Sequence, residues 1–205
     1  MSHPLTLLQM AQAPLHPSPL GAAVLVVIDA QREYVEGKLP LTGVAPALAE
    51  IAALLDLARR QGMPVMHVFQ HAPPGRGLFD PTGPFVAPAP QALPLAGEAI
   101  VTKRLPNAFA GTDLHQKIVD SGRREIVLAG FMTHMCVSAT ARAALDLGYR
   151  TSLVASATAT RDLPDPVDGS VIPAAAVQRA ALAAIADRFA IIVPDAAALV
   201  PASPA

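Results

Sequence analysis

The chain has 205 residues, of which 52% are hydrophobic and only 15% are charged, and its formal net charge is −1. A chain of this size buries one substantial core, and a charge near zero provides no basic surface, so neither nucleic acid nor a membrane is an expected partner. A single cysteine excludes an internal disulfide and a multi-cysteine metal cluster. No apolar run reaches the ~18 residues that a membrane-spanning helix needs.

Residues 1–20 contain four prolines and no basic segment in front of an apolar stretch. They are therefore predicted to form a proline-rich N-terminal arm, either disordered or lying on the surface or on a partner subunit, rather than a signal peptide. Residues 21–205 are predicted to form one domain. The lone cysteine and the missing signal peptide favour a cytoplasmic location.

Runs of apolar and β-branched residues predict six strands, at 22–28, 63–69, 99–102, 124–129, 151–155 and 190–193. Apolar residues at helical spacing predict helices at 46–60, 112–121, 138–147 and 174–188. The regions 71–98 and 158–173 are predicted to be loops, and a loop as long as the first is usually functional. Alternating strands and helices predict an α/β fold, a single-domain doubly wound parallel sheet with helices on both faces.

Three chemically capable residues lie at the carboxyl ends of predicted strands. Asp29 follows the first strand, Lys103 follows the third, and Cys136 lies between the fourth strand and the next helix. Because ligands of such sheets bind outside the carboxyl ends of the strands, these side chains are expected to meet. Each also has an ordinary role open to it: a turn cap for Asp29, a solvated lysine for Lys103, a small buried hydrophobe for Cys136.

A cysteine in this setting can serve as a nucleophile. The helix N-terminus at Cys136 and a nearby Lys103 both favour the thiolate, and backbone N–H groups there can stabilise an oxyanion. Asp29 can accept the thiol proton as a base and then protonate the leaving group as an acid. We therefore expect Cys136 to be an acidic, reactive thiol.

Three stretches of the sequence resemble motifs of the isochorismatase-like cysteine hydrolases. They are Ile-Asp-Ala-Gln at 28–31, Val-Thr-Lys-Arg at 101–104 with Asn-Ala-Phe at 107–109, and Gly-Phe-Met-Thr-His-Met-Cys-Val-Ser-Ala-Thr at 130–140. The resemblance extends from about residue 22 to residue 193. It implies a catalytic triad of Asp29, Lys103 and Cys136 on a six-stranded sheet of order 3-2-1-4-5-6. It also implies a cis peptide bond between Met132 and Thr133, which would direct the Thr133 N–H, beside that of Cys136, at the oxyanion.

Comparison of the sequence with two groups of family members limits the reactions that the resemblance implies. Nicotinamidases carry an Asp-x-His metal motif that is absent here, and His67 and His71 without a placed carboxylate make a poor zinc site. No metal or other cofactor is therefore expected. Members that hydrolyse the vinyl ether of isochorismate need no thiol, so Cys136 favours hydrolysis of an amide-type C–N bond in a small molecule through a thioester.

The substrate pocket is expected to be lined by residues that follow the strands, namely Gln31, Tyr34, His71, Phe79, Asn107, Phe109, Phe131 and His134. Each is equally well explained as core packing. The resemblance also implies dimers or tetramers, and the apolar composition agrees with a homo-oligomer.

Four alternative functions share parts of this pattern. A Rossmann dehydrogenase should have a glycine-rich turn after the first strand, whereas residues 29–33 contain no glycine. A vinyl-ether hydrolase or a non-catalytic binding module would share the fold, although a binding module has no use for an intact triad. A thiol redox role would lack a second cysteine to resolve a sulfenic acid.

Overall fold

The computed structural model describes residues 3–200, so the predicted ends of the arm at 1–2 and of the domain at 201–205 lie outside the described residues. The strands are β1 Ala23–Ile28, β2 Val65–Gln70, β3 Ala99–Lys103, β4 Glu125–Phe131, β5 Arg150–Ala159, β6 Leu163–Pro164, β7 Val171–Ile172 and β8 Ile191–Val193. The α-helices are α1 Leu7–Met10, α2 Val44–Arg60, α3 Leu114–Asp120, α4 Ser138–Asp146 and α5 Ala174–Arg188.

Six strands form one parallel sheet in the order β3-β2-β1-β4-β5-β8. This confirms the predicted order 3-2-1-4-5-6, because β8 is the predicted sixth strand. It carries a higher number since the small antiparallel pair β6–β7 lies inside the predicted loop 158–173. Strands of two residues are too short to show a hydrophobic period, so the sequence does not reveal them.

The core lies on both faces of the sheet and explains the continuous apolar run of β1. Leu25 and Val27 join a cluster that includes Leu55 of α2, whereas Val24 and Val26 join a second cluster with α3 and α4. Every residue of β1 is buried. A strand covered on both faces needs apolar side chains at every position, in place of the alternation typical of a half-exposed strand.

The described part of the N-terminal arm is ordered against the chain's own surface. Thr6 caps α1 through a capping box, and the Leu7 N–H donates to Asp187 Oδ1 at 2.8 Å on α5. Further along, the Ser18 N–H donates to the buried Ser152 Oγ at 2.7 Å on β5. Among residues 3–200 there is no helix of the length and apolarity required to span a membrane.

Candidate active site

Three side chains from separate strand ends meet at the carboxyl edge of the sheet. Lys103 Nζ lies 2.8 Å from Asp29 Oδ2 and 3.3 Å from Cys136 Sγ. Asp29 follows β1 and Lys103 ends β3, so the long aliphatic stem of the lysine has to cross the intervening strand β2. Cys136 is presented by a π-helical turn, Thr133–Val137, that joins β4 to α4.

Backbone conformation near the triad is unusual at two positions. Asp29 has a φ of 51°, in the left-handed region that residues other than glycine rarely adopt. Gly130 of β4 pairs with Ile28 of β1 and has a φ of 115°, and a Cβ at that position would lie 1.9 Å from the Ile28 carbonyl oxygen. Glycine is therefore required where these strands approach each other beside Asp29.

The triad is buried, and burial controls its protonation. Asp29, Lys103 and Cys136 are 0%, 1% and 5% exposed. Burial raises the pKa of Asp29, while the charge of Lys103 and the contacts with Lys103 and Cys136 act against that rise. A carboxylate that is poorly solvated yet paired with a lysine is a stronger base than an exposed aspartate.

The expectation of an acidic thiol is wrong. Burial and then Asp29 raise the pKa of Cys136 to about 12, and Lys103 offsets only part of this rise. The physical reason is charge balance, because Asp29 and Lys103 already form a neutral pair and a thiolate would add an uncompensated buried charge. Transfer of the thiol proton to Asp29 instead leaves the total charge of the triad unchanged.

Gln70 is a member of the site that the sequence analysis did not identify. Its Oε1 accepts a hydrogen bond from Lys103 Nζ at 2.7 Å. The Gln31 side chain forms two hydrogen bonds with the Gln70 main chain: its Oε1 accepts the Gln70 N–H at 2.8 Å, and its Nε2 donates to the Gln70 carbonyl at 3.1 Å. The Nε2 also donates to the Val86 carbonyl at 2.7 Å. Gln31, expected to line the pocket, is thus occupied with the main chain and positions Gln70.

Three of the expected pocket residues form an aromatic cluster beside the triad. The Tyr34 ring packs edge-on against Phe79 at 5.2 Å and against Phe131 at 5.8 Å. Burial, followed by the charges of Asp29 and Cys136, raises the pKa of Tyr34. We call Tyr34, Phe79 and Phe131 the aromatic wall.

The structure places the remaining expected pocket residues in other contacts. Asn107 Oδ1 accepts the Phe109 N–H at 2.9 Å, and the Phe109 ring stacks on Tyr149 at 6.0 Å, away from the aromatic wall. The His71 N–H donates to the Lys103 carbonyl at 3.0 Å. His134 is half-buried, with Nδ1 2.6 Å from the hydroxyl of Thr160.

The position of the cis peptide bond corrects an expectation. The bond joins Phe131 to Met132, one residue earlier than the expected bond between Met132 and Thr133. The sheet pairing of β4 continues to Phe131, and the Met132 carbonyl already accepts from the Met135 and Val137 N–H groups of the next turn. The turn that carries Cys136 therefore begins directly after β4, with Met132 as its N-cap residue.

Possible metal ligands are dispersed. His67 is fully buried and its Nε2 lies 2.9 Å from Glu98 Oε2, which in turn binds Arg59. Over the described range 3–200, no group of three His, Cys, Asp or Glu side chains is arranged to hold a metal ion.

Comparison with known proteins identifies the family and agrees with the fold. A sequence model of the isochorismatase domain matches residues 23–197. The crystal structure of an isochorismatase from Pseudomonas putida KT2440 is 43% identical, covers 97% of this chain and 100% of its own, and superposes with a TM-score of 0.91. The secreted isochorismatase effector Isc1 of Verticillium dahliae is 38% identical over 83% of this chain and 87% of its own. The maleamate amidohydrolase of Pseudomonas putida is 32% identical over 63% of this chain and 68% of its own.

Proposed function

The chain belongs to the isochorismatase family of hydrolases, and on that premise we propose that it cleaves an amide-type C–N bond of a small molecule through a thioester on Cys136. The observation that carries the proposal is the position of Lys103 Nζ, 2.8 Å from Asp29 and 3.3 Å from Cys136 Sγ. A base, a cation and a nucleophile then lie within reach of one another. A relative that is an amidohydrolase by name supports the choice of a C–N bond.

Acylation begins with proton transfer from the Cys136 thiol to the Asp29 carboxylate. The thiolate, stabilised by Lys103, attacks the amide carbonyl carbon and forms a C–S bond, and the carbonyl oxygen becomes an oxyanion. Backbone N–H groups at the turn that carries Cys136 would stabilise this oxyanion. The C–N bond then breaks, and Asp29 returns the proton to the departing nitrogen, which leaves as ammonia or an amine.

Deacylation uses the same groups in the reverse order. Asp29, ionised again, accepts a proton from water as the water oxygen attacks the thioester carbonyl. The C–S bond breaks, a carboxylic acid is released, and Asp29 returns the proton to Cys136. The sum is one amide and one water converted into one acid and one amine. Because Asp29 is deprived of water contact, its pKa is raised, so it accepts a proton more readily than an exposed aspartate and can return it in the next step.

The thiol distinguishes this proposal from vinyl-ether hydrolysis, which requires proton transfer but no nucleophile. Cys136 is 5% exposed and lies in contact with Lys103, so its sulfur has a defined electrostatic partner rather than only apolar neighbours. Such an arrangement suits a nucleophile better than a packing residue.

The test is to capture the thioester. Wild-type protein is mixed with small primary amides, carbamoyl compounds and lactams, quenched in acid and analysed by mass spectrometry of the peptide that contains Cys136. We expect an acyl adduct on that peptide, release of ammonia from primary amides, and no turnover by Cys136→Ser with an unchanged circular dichroism spectrum. Amide turnover by Cys136→Ala at the wild-type rate would exclude the thioester. Retained hydrolysis of isochorismate by Cys136→Ser, with no amide cleaved by the wild type, would establish the vinyl-ether reaction instead.

A further inference from the structure

Glu33 is a buried carboxylate that lacks a cationic partner. It is 2% exposed and lies in the short helical turn Arg32–Tyr34 that follows β1. Among residues 3–200, no lysine, arginine or histidine nitrogen lies within 4.0 Å of its oxygens. A buried carboxylate is normally paired with a cation, so the position of Glu33 requires an explanation.

The two oxygens of Glu33 bind the main chain of two different segments. Oε1 accepts the Lys38 N–H at 2.7 Å, in the segment that follows β1. Oε2 accepts the Phe79 N–H at 3.2 Å, in the loop that follows β2. Gly37 packs directly against Glu33, because a Cβ at Gly37 would lie 2.6 Å from the Glu33 Cα. The carboxylate therefore joins the segments that follow two neighbouring strands of the sheet.

Phe79 is the buried residue of an otherwise accessible loop. Within residues 71–83 every other position is exposed or half-buried, whereas Phe79 is 8% exposed. Its φ of 53° lies in the left-handed region, which an aromatic residue rarely adopts. Its carbonyl accepts the Ala72 N–H at 3.0 Å. Hydrogen bonds from Ala72 and to Glu33 thus hold the Phe79 main chain in a conformation that it disfavours.

The same loop connects two parts of the site. The His71 N–H, at the start of the loop, donates to the Lys103 carbonyl at 3.0 Å. At its other end the loop supplies Phe79 to the aromatic wall, whose last ring is Phe131. Phe131 ends β4, directly before the turn that carries Cys136. The wall therefore extends from the loop beside Lys103 to the turn of the nucleophile.

Access to the nucleophile requires part of this enclosure to move, because Cys136 is only 5% exposed. Tyr34 lies in a helical turn and Phe131 in the central sheet, so moving either ring would break regular structure. Phe79 lies on a loop and is held there by main-chain hydrogen bonds. Displacement of Phe79 is therefore the opening that costs the least structure.

We infer that Glu33 is a positioning residue that holds Phe79 in the aromatic wall and so excludes bulky groups from Cys136. The inference rests on the proposed function only in taking Cys136 as the nucleophile. In Glu33→Gln one oxygen is replaced by an amide nitrogen, which cannot accept a hydrogen bond. The bond to the Lys38 N–H is the shorter of the two, so the Phe79 N–H is expected to lose its acceptor.

Alkylation of Cys136 by two maleimides tests this role without a substrate. N-methylmaleimide and N-phenylmaleimide share the reacting double bond and differ in bulk, and Cys136 is the only cysteine of the chain. The ratio of their rates cancels the thiolate fraction. We expect Glu33→Gln to raise the ratio of phenyl to methyl reagent about tenfold over wild type, and Phe79→Ala to raise it at least as much. The matched control is Glu36→Gln, at a side chain 52% exposed in the same segment, which should leave the ratio unchanged.

Two further measurements separate positioning from a general loss of stability. Because Glu33 acts through Phe79, the double variant should show the same ratio as Phe79→Ala alone. Phe79→Leu replaces Phe79→Ala in this comparison if circular dichroism shows that Phe79→Ala is unfolded. Hydrogen exchange of the peptide that contains Phe79 should become faster in Glu33→Gln, while exchange in β1 stays unchanged. Multiplied effects in the double variant, or faster exchange in β1 as well, would show that Glu33 only stabilises the fold.

Turnover distinguishes failure of this inference from failure of the proposed hydrolysis. Acetamide and benzamide share the primary amide and differ in bulk. If they are cleaved, Glu33→Gln should raise kcat/KM for benzamide relative to acetamide roughly tenfold. If no amide is cleaved but the maleimide ratio rises, the role of Glu33 stands and amide hydrolysis fails. If amides are cleaved and neither ratio responds to Glu33→Gln, or Glu36→Gln has the same effect, the role of Glu33 is wrong and the hydrolase stands.

Discussion

Gln70 Oε1 lies 2.7 Å from Lys103 Nζ, and this contact completes the surroundings of the lysine ammonium. An ammonium has three protons to donate. Within residues 3–200, the polar partners of Nζ are Gln70, Asp29 at 2.8 Å and Cys136 at 3.3 Å. Gln70 thus fixes the direction of Lys103 toward the other two, and Gln31 fixes Gln70 through its main chain. Gln70 is a positioning residue because it acts through Lys103.

Gln70→Met tests this role, since methionine keeps the length of the side chain but cannot accept the lysine hydrogen bond. We expect kcat/KM to fall by roughly 10- to 100-fold, because Lys103 keeps its charge but loses its fixed direction. Gln70→Glu should instead slow the iodoacetamide alkylation of Cys136, since a second carboxylate on Lys103 weakens the stabilisation of the thiolate. Activity of Gln70→Met within twofold of wild type would assign Gln70 to packing alone.

Gly130→Ala tests the close approach of β1 and β4. The new Cβ would lie 1.9 Å from the Ile28 carbonyl oxygen, at a φ of 115° that alanine disfavours. We expect the free energy of unfolding to fall by more than about 3 kcal/mol, as measured by urea denaturation. Gly21→Ala is the control, because nothing lies within 4 Å of the Cβ it would add, and it should change stability by less than about 0.5 kcal/mol. Similar losses in both variants would contradict a specific role for Gly130.

The sheet and the position of the triad could be predicted because they depend on local pattern. The run at 22–28 is apolar at every position, as a strand buried on both faces must be, and polar side chains at strand ends indicate the functional edge of such a sheet. The same rule would have identified Gln70, which ends β2.

The protonation of the site could not be predicted from the sequence. A helix N-terminus and a lysine near Cys136 both lower the pKa of a thiol, and both features can be read from the residues. The opposing effects are burial and the contact with Asp29, which depend on how deeply the completed fold encloses the sulfur. These effects raise the pKa of Cys136 to about 12 and reverse the expected direction.

Glu98 provides a pH-dependent prediction about stability. Burial would raise its pKa, but hydrogen bonds from Arg59, the Leu95 N–H and His67 lower it to about 2 from an ordinary value of 4.5. A carboxyl group with a lowered pKa in the folded state stabilises the protein above the unfolded value, and this contribution is lost as the pH falls from about 4.5 toward 2. Glu98→Gln should therefore lower the free energy of unfolding at pH 7 by roughly 1 to 3 kcal/mol.

Urea denaturation at pH 7 and at pH 3 checks this prediction. The difference between wild type and Glu98→Gln should shrink at the lower pH, where part of the wild-type advantage is lost. Glu36→Gln is the matched control, since Glu36 pairs with Arg32 but its side chain is 52% exposed, and it should cost less than about 0.5 kcal/mol. A loss in Glu98→Gln that does not vary with pH would mean that the carboxylate charge contributes nothing.

The roles of Asp29 and Lys103 can be distinguished because the two residues shift the pKa of the Cys136 thiol in opposite directions. Asp29 raises the pKa of Cys136 and Lys103 lowers it. Asp29→Asn should therefore speed the iodoacetamide alkylation of Cys136 at pH 9, whereas Lys103→Met should slow it. Lys103→Met also leaves a buried carboxylate without its partner, so we expect it to lose roughly 3 to 5 kcal/mol of stability. Its fold therefore needs to be checked by circular dichroism at the assay temperature.

The same substitutions should change the rate of acylation by an amide differently from the rate of alkylation by iodoacetamide. Asp29→Asn keeps the shape of the side chain but removes the proton acceptor, so single-turnover acylation should fall by roughly 10²- to 10⁴-fold even though alkylation becomes faster. Lys103→Met should slow both reactions, and the double variant should be far less than multiplicatively worse, because the groups act as a unit. Faster alkylation together with slower acylation in Asp29→Asn is the result expected of a residue that transfers the proton in the amide reaction and otherwise disfavours the thiolate. If both single variants slow alkylation by similar factors, Asp29 is not the base and serves only to orient Lys103.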